Sequence, residues 1–208
     1  HVVCKTGLVN IHGIVVAAGS GERFGAPKGA VKLGGRPLWE WSRDALLAGD
    51  TASVVVVGAG GLEGGLRRRD SVARGLAALP DGATHVLVHD AARPLARPSL
   101  VRRVIDRLAV GDADGVVPVI PVRDTIKRVE GESVVETVER SALVAVQTPQ
   151  GFLLESLRAA HAADDIDASD DALLIERWGG TVVTVPGEES NLKITFAGDL
   201  SIAEALLS

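Results

Sequence analysis

Ile14-Val15-Val16-Ala17-Ala18-Gly19-Ser20-Gly21-Glu22-Arg23-Phe24-Gly25-Ala26-Pro27-Lys28 passes from an apolar run into a glycine-rich loop that carries two cations. The run reads as a strand and the loop as a phosphate cradle. Glycines let backbone N–H groups approach an anion closely, while Arg23 and Lys28 put charge where phosphoryl oxygens would sit. Counting separates this loop from better-known ones. A dinucleotide fingerprint needs Gly-x-Gly-x-x-Gly, and here the third glycine comes one residue late, at Gly25; a Walker loop needs Gly-Lys-Ser/Thr, whereas Lys28 follows Pro27 and precedes Gly29. A tight strand-to-helix turn with two solvated cations is the plain alternative. The two cations together favour a site for a nucleoside triphosphate.

Outward from that loop, apolar runs of strand length recur at Ile14–Ala18, Ser53–Gly58, His85–His89 and Gly115–Ile120, with helical periodicity between them at Leu38–Leu47, Ser71–Leu79 and Ser99–Leu108. Near-continuous Val and Ile in the strands implies burial on both faces, hence a mostly parallel sheet with helices on either side. The expected fold is α/β: a three-layer α/β/α, Rossmann-like arrangement in one domain over 1–208. From Val122 to Val146, Thr, Val and charged residues alternate around Glu130-Gly131-Glu132, which predicts a projecting β-hairpin arm. A lone two-stranded ribbon is marginal in water, so a second subunit is the economical partner for it. Afterwards Gln150–Ala163 and Asp170–Gly179 read as helices, the second capped by Ser169 or Asp170. A Thr181–Val185 strand, a short Lys193–Thr195 strand and a helix from Asp199 complete the reading.

Composition limits the function classes. The 208 residues are 46% hydrophobic and 24% charged, enough for a large buried core. A net charge of −5 supplies no overall field to attract nucleic acid or an anionic membrane, so any anion site is local. No apolar run approaches the roughly 20 residues of a membrane helix. One cysteine, Cys4, excludes an intrachain disulfide and fits a reducing compartment, which makes the cytoplasm the expected location.

Other polar groups cluster at expected strand ends. In Val88-His89-Asp90-Ala91-Ala92-Arg93-Pro94 a carboxylate and a guanidinium emerge together. Asp90 suits Mg2+, which is commonly held by one or two carboxylates plus substrate phosphates and water; the plain alternative is that it pairs with Arg93 or caps a turn. His89 reads as a hydrogen-bonded histidine with no catalytic role. In Gly64-Gly65-Leu66-Arg67-Arg68-Arg69-Asp70-Ser71-Val72, Ser71 reads as a nucleotide contact or a helix N-cap, and the arginines as a solvated face. Asp170-Asp171 at a helix start favours dipole and capping roles over a metal site.

Taken in order, these blocks, with Asp124-Thr125-Ile126-Lys127, Arg140, Gln147-Thr148-Pro149-Gln150 and Asn191-x-Lys193-Ile194-Thr195, closely resemble the 2-C-methyl-D-erythritol 4-phosphate cytidylyltransferase family from about Ile14 onward. The resemblance implies transfer of CMP from CTP to methylerythritol phosphate, with release of pyrophosphate, in the isoprenoid pathway that does not use mevalonate. By the same resemblance, Arg23 and Lys28 stabilise the transition state and Asp90 holds Mg2+ or another divalent cation. Ala17, Ala18, Gly19, Ser20, Gly21, Gly65, Ser71 and Ala91 bind the nucleotide. Arg93, Thr148 and Lys193 bind the acceptor, and Thr125 and Arg140 lie on an arm reaching the partner's site in a homodimer.

Three other functions remain in play. A ribitol 5-phosphate cytidylyltransferase shares the loop and the chemistry. A sugar-1-phosphate or molybdopterin nucleotidyltransferase leaves Asp124–Lys127 and Gln147–Gln150 unexplained. A non-catalytic nucleotide-binding subunit predicts missing charges, whereas Arg23, Lys28, Asp90, Arg140 and Lys193 are all present.

Overall fold

The computed structural model describes residues 3–4, 7–19 and 31–207. A short antiparallel pair, β1 (Val3–Cys4) and β2 (Gly7–Leu8), leads into β3 (Ile11–Val16); a second pair, β4 (Lys32–Leu33) and β5 (Arg36–Pro37), leads into α1 (Leu38–Ala48). Then come β6 (Val54–Val57), α2 (Arg68–Ala77), β7 (His85–Asp90), α3 (Pro98–Leu108) and β8 (Gly115–Pro121). A hairpin of β9 (Ile126–Glu130) and β10 (Ser133–Val138) precedes β11 (Val144–Val146) and β12 (Gln150–Leu153). The chain continues through α4 (Leu154–Ala163), α5 (Asp171–Trp178), β13 (Val182–Pro186) and α6 (Ala197–Leu207).

Seven strands form the central sheet. β3 lies between β6 and β7 and parallel to both; β12 runs antiparallel between β7 and β8; and β13 runs parallel to β8. β11 pairs antiparallel with Val119 to Pro121 of β8, beyond the point where β12 pairs with Gly115 and Val116. β11 and β12 are thus two pieces of one strand line, interrupted by Gln147-Thr148-Pro149. β3, β6, β7, β8 and β13 share one direction, so the sheet is mostly parallel.

Alternation along β3 and β7 explains the layering. Ile14, Val86 and Val88 point into a core with Val72, Leu76, Leu157 and Ile175 from α2, α4 and α5. Val15 and Leu87 point the other way, against Leu46, Val101, Val104 and Leu108 from α1 and α3. Consecutive apolar residues therefore serve opposite faces, each buried side chain contributing about 1.5–3 kcal/mol. This is the expected three-layer α/β/α arrangement. No helix among the described residues is long and apolar enough to cross a membrane.

Several local expectations need correction. Gln150–Leu153 is a strand, not the start of a helix: Phe152 is fully buried between two layers, and a Cβ on Gly151 would meet Val104 Cγ1 at 2.8 Å, so tertiary packing overrides the helical periodicity. Lys193–Thr195 makes no strand. Ile194 N–H donates to Ala92 O at 2.8 Å, while Thr195 N–H is taken by the Asp199 carboxylate, which starts α6. α2 begins at Arg68 rather than near Ser71, because Asp70 accepts from Arg67 N–H at 3.0 Å and closes the first turn earlier. The predicted 122–146 arm divides: β9 and β10 make a separate exposed sheet turning at Gly131-Glu132, whereas β11 belongs to the central one.

Candidate active site

The shared strand direction gathers Ala17–Gly19, Gly64-Gly65 and Asp90–Arg93 outside the carboxyl ends of β3, β6 and β7, where open α/β sheets take ligands. A cavity of about 520 Å³ opens there, lined by Val16, Ala18, Gly19, Gly65, Leu66, Arg67, Arg68, Ser71, Asp90, Ala92 and Lys193. Its wall needs the glycine pair: a Cβ on Gly64 would meet Ala18 Cβ at 2.2 Å and one on Gly65 would meet Asp70 Cβ at 2.2 Å. Ser71, buried inside the first turn of α2, accepts from Gly65 N–H at 3.0 Å. It braces the loop and does not cap the helix.

A second cavity of about 380 Å³ adjoins the first, and the two share Arg68, Asp90 and Lys193. Its remaining lining includes Arg93, Gln147, Thr148, Gln150, Ser169 and Asp170. The interruption between β11 and β12 builds this side. Gln147 bonds both the N–H and the carbonyl of Glu188, and Asn191 Nδ2 donates to Thr148 O at 2.9 Å. These buried amides fasten the segment carrying Lys193 onto the sheet.

Asp90 is buried between two cations. Arg68 Nε donates to Oδ1 at 3.2 Å and Lys193 Nζ to Oδ2 at 2.7 Å. Burial alone would raise the Asp90 carboxyl, but Arg68 and Lys193 outweigh it and hold the group well below the usual carboxylate range. Arg68 Nη1 also donates at 2.7 Å to the fully buried Asp171, which His161 Nε2 meets at 3.2 Å. Burial opposes the charge on Asp171 too, and Arg68 and His161 again keep it ionised.

Behind Asp90, the hydrogen bonds fix a tautomer. His89 Nε2 lies 3.2 Å from Arg93 O, a pure acceptor, so Nε2 carries the proton and Nδ1 accepts from Thr148 Oγ1 at 2.8 Å. Thr148 Oγ1 in turn accepts from Asp90 N–H at 3.1 Å. Burial pushes His89 down to about 4, leaving a neutral ring at physiological pH. Arg93 spends Nη1 on Asn191 O at 2.7 Å and Nη2 on Val146 O at 3.2 Å, while its buried Nε has no partner among the described residues.

The model of the 2-C-methyl-D-erythritol 4-phosphate cytidylyltransferase family matches residues 59–208. The chain belongs to that family. Residues 13–69 also match the MobA-like NTP transferase domain. A 2-C-methyl-D-erythritol 4-phosphate cytidylyltransferase of Nocardia farcinica is 46% identical over 93% of this chain and 92% of its own length. The bifunctional enzyme IspD/IspF of Solidesulfovibrio magneticus is 45% identical over 92% of this chain, which spans 56% of that protein. The crystal structure of the 2-C-methyl-D-erythritol 4-phosphate cytidylyltransferase from Thermus thermophilus superposes with a TM-score of 0.80 at 40% identity, covering 93% of this chain and 97% of that one. The two cavities therefore belong to a cytidylyltransferase.

Within this cytidylyltransferase fold, Ala18, Gly19, Gly65 and Ser71 line the first cavity, Arg93 and Thr148 the second, and Asp90 and Lys193 both. Ala17 and Ala91 are buried behind the wall, their N–H groups bonded to Val57 O and Val16 O. Thr125 and Arg140 are exposed at the root of the hairpin, and neither lines these cavities. Ser20, Gly21, Arg23 and Lys28 lie outside the described residues. The arginine run is no solvated face: Arg67 holds Asp70 and Asp165, Arg69 holds three backbone carbonyls, and Arg68 enters the site. Of the acidic pair, Asp170 caps α5 as expected, by accepting from Leu173 N–H, whereas Asp171 anchors Arg68.

Proposed function

We propose that the chain transfers CMP from CTP to the phosphate of 2-C-methyl-D-erythritol 4-phosphate, releasing pyrophosphate, in the non-mevalonate route to isoprenoids. The observation that carries this reading is the meeting of two cavities at Asp90, Arg68 and Lys193. A nucleotide in the glycine-walled cavity and a phosphorylated acceptor in the other would face each other across that seam.

The acceptor phosphate is already anionic at neutral pH and needs no general base. One of its oxygens bonds to the α-phosphorus, the α–β bridging P–O bond breaks, and that electron pair leaves on pyrophosphate. Catalysis is then positioning plus charge stabilisation. Ala18, Gly65 and Ser71 seat the cytidine, backed by Ala17 and Ala91; Gly19, Ser20 and Gly21 wrap the triphosphate. Arg23 and Lys28 stabilise the transferring phosphoryl group, and Arg93, Thr148 and Lys193 orient the acceptor.

Asp90 suits a divalent cation such as Mg2+. Its two hydrogen bonds leave part of a carboxylate's roughly four lone-pair sites unspent, and substrate phosphates and water commonly complete a Mg2+ shell. Among the described residues no group of three or more His, Cys, Asp or Glu side chains is arranged to hold a metal, which fits a cation that arrives with the nucleotide. Bound there, it would neutralise charge on the triphosphate.

The exposed Val129, Val134 and Val135 of the hairpin favour a second copy of the chain as its cover, with Thr125 and Arg140 delivered to the partner's acceptor cavity. The single cysteine suits work in the cytoplasm.

Pyrophosphate release from CTP, measured with a divalent cation and methylerythritol 4-phosphate, ribitol 5-phosphate or no acceptor, tests the reading. Activity confined to methylerythritol phosphate is expected. Activity confined to ribitol phosphate would keep the chemistry and replace the acceptor, and silence with every acceptor would remove the catalytic assignment.

A further inference from the structure

Arg68 touches a carboxylate at each end of its guanidinium, Asp90 through Nε and Asp171 through Nη1, and it lines both cavities. Asp171 sits in the first turn of α5, fully buried and held by His161, so the far end of the fork is fixed. A planar guanidinium locked in this way dictates where its other carboxylate partner points. Its third nitrogen, Nη2, is buried without a partner among the described residues, leaving Arg68 the two N–H donors of that nitrogen in reserve should its grip on Asp90 change. Lys193 completes the arrangement from the opposite side of Asp90.

The same contact is an obstacle. A divalent cation approaching Asp90 Oδ1 meets a hydrogen bond already made there and a like charge on the donor. We propose that Arg68 is a positioning residue for the transfer: tethered to Asp171, it aims Asp90 at the seam between the cavities, and by competing for Asp90 Oδ1 it sets how tightly a divalent cation binds. This rests on the reading of Asp90 as the cation's ligand.

Mn2+ is the probe, its binding to the full chain read by electron paramagnetic resonance with CTP present and no acceptor, beside steady-state turnover. Arg68→Gln is expected to tighten Mn2+ binding by about tenfold or more, because a repelling charge one carboxylate away is removed. Turnover is expected to fall by about 10²-fold from a misaimed Asp90. Arg68→Lys keeps the charge but not the fork, so Mn2+ affinity stays near the parent's while turnover still falls. If Arg68→Gln does not fold, Asp171→Asn carries the test: it cuts the tether, lets Arg68 settle wholly on Asp90, and is expected to weaken Mn2+ binding. A folded Arg68→Gln or Asp171→Asn protein with the parent's Mn2+ affinity overturns the inference, as does a parent that binds no Mn2+. A parent that binds Mn2+ yet releases pyrophosphate with no acceptor would sink the transferase reading and leave the Mn2+ comparison standing.

Discussion

The Lys193 ammonium lies 2.7 Å from Asp90 Oδ2, although 103 positions separate the two residues in the chain. The contact closes the segment after β13 over the end of β7, held by Ile194 N–H on Ala92 O and by the Gln147 and Asn191 amides. A cation is thereby set at the wall that both cavities share.

Lys193→Ala removes that cation and leaves Asp90 to Arg68. Turnover is expected to fall by about 10²–10³-fold, the scale of a single charge-stabilising donor, with KM for the acceptor rising more than KM for CTP. Steady-state kinetics with each substrate varied decides it; an unchanged acceptor KM would remove Lys193 from the acceptor cavity.

Gly65→Ala drives a methyl group to 2.2 Å from Asp70 Cβ and 2.9 Å from the Asp70 carbonyl carbon, so backbone has to shift. We expect a loss of about 1–3 kcal/mol in stability and a rise in KM for CTP. Thermal melts with and without CTP check both; a protein stabilised by CTP as well as the parent is would contradict the loop's role.

His89 gives a pH dependence with a definite sign. Its folded value, lowered by burial to about 4, lies below the ordinary histidine value of 6.5, so the unfolded chain binds more protons between those limits. The His89 contribution is full above about pH 6.5 and declines by roughly 3 kcal/mol as pH falls toward 4, and His12 and His85, also lowered by burial, add to the loss with the same sign. Depressed carboxyls at Asp90 and Asp171 add to the loss only in stronger acid. Denaturant midpoints across this range should show the slope in the parent and a flatter one in His89→Gln; equal slopes would assign the titration elsewhere.

Arg140→Ala and Lys193→Ala chains, each inactive alone, should regain activity when refolded together if the hairpin completes a neighbour's site. An equal mixture is expected to recover about a quarter of the parent's sites, since only mixed dimers carry one intact pair. No recovery in verified mixed dimers would confine Arg140 to its own subunit.

The layered sheet is legible in the sequence because Ile14-Val15-Val16 and Val86-Leu87-Val88 are apolar at consecutive positions, which water on either face would not allow. Gln150–Leu153 carries the same information in four residues, too few to stand apart from the helix that follows. Asp90 stands out at a strand end beside Arg93. Arg68 does not, since its partners are 22 and 103 positions away and no local spacing announces them. Charged runs are usually solvated, and only the folded chain shows Arg69 buried, Arg68 in the site and Arg67 spent on Asp70 and Asp165. Ser71 falls in the region its sequence context indicates, but its hydroxyl serves the Gly65 N–H, a contact created by the loop's path.

The alternating chain of Lys193, Asp90, Arg68 and Asp171 sums to no net charge. A site of this kind is its own counter-ion. An anion arriving at the seam meets cations that each already hold a carboxylate. A ligand that docks at this seam binds by exchanging partners along the chain, so the pairing itself sets what the seam accepts.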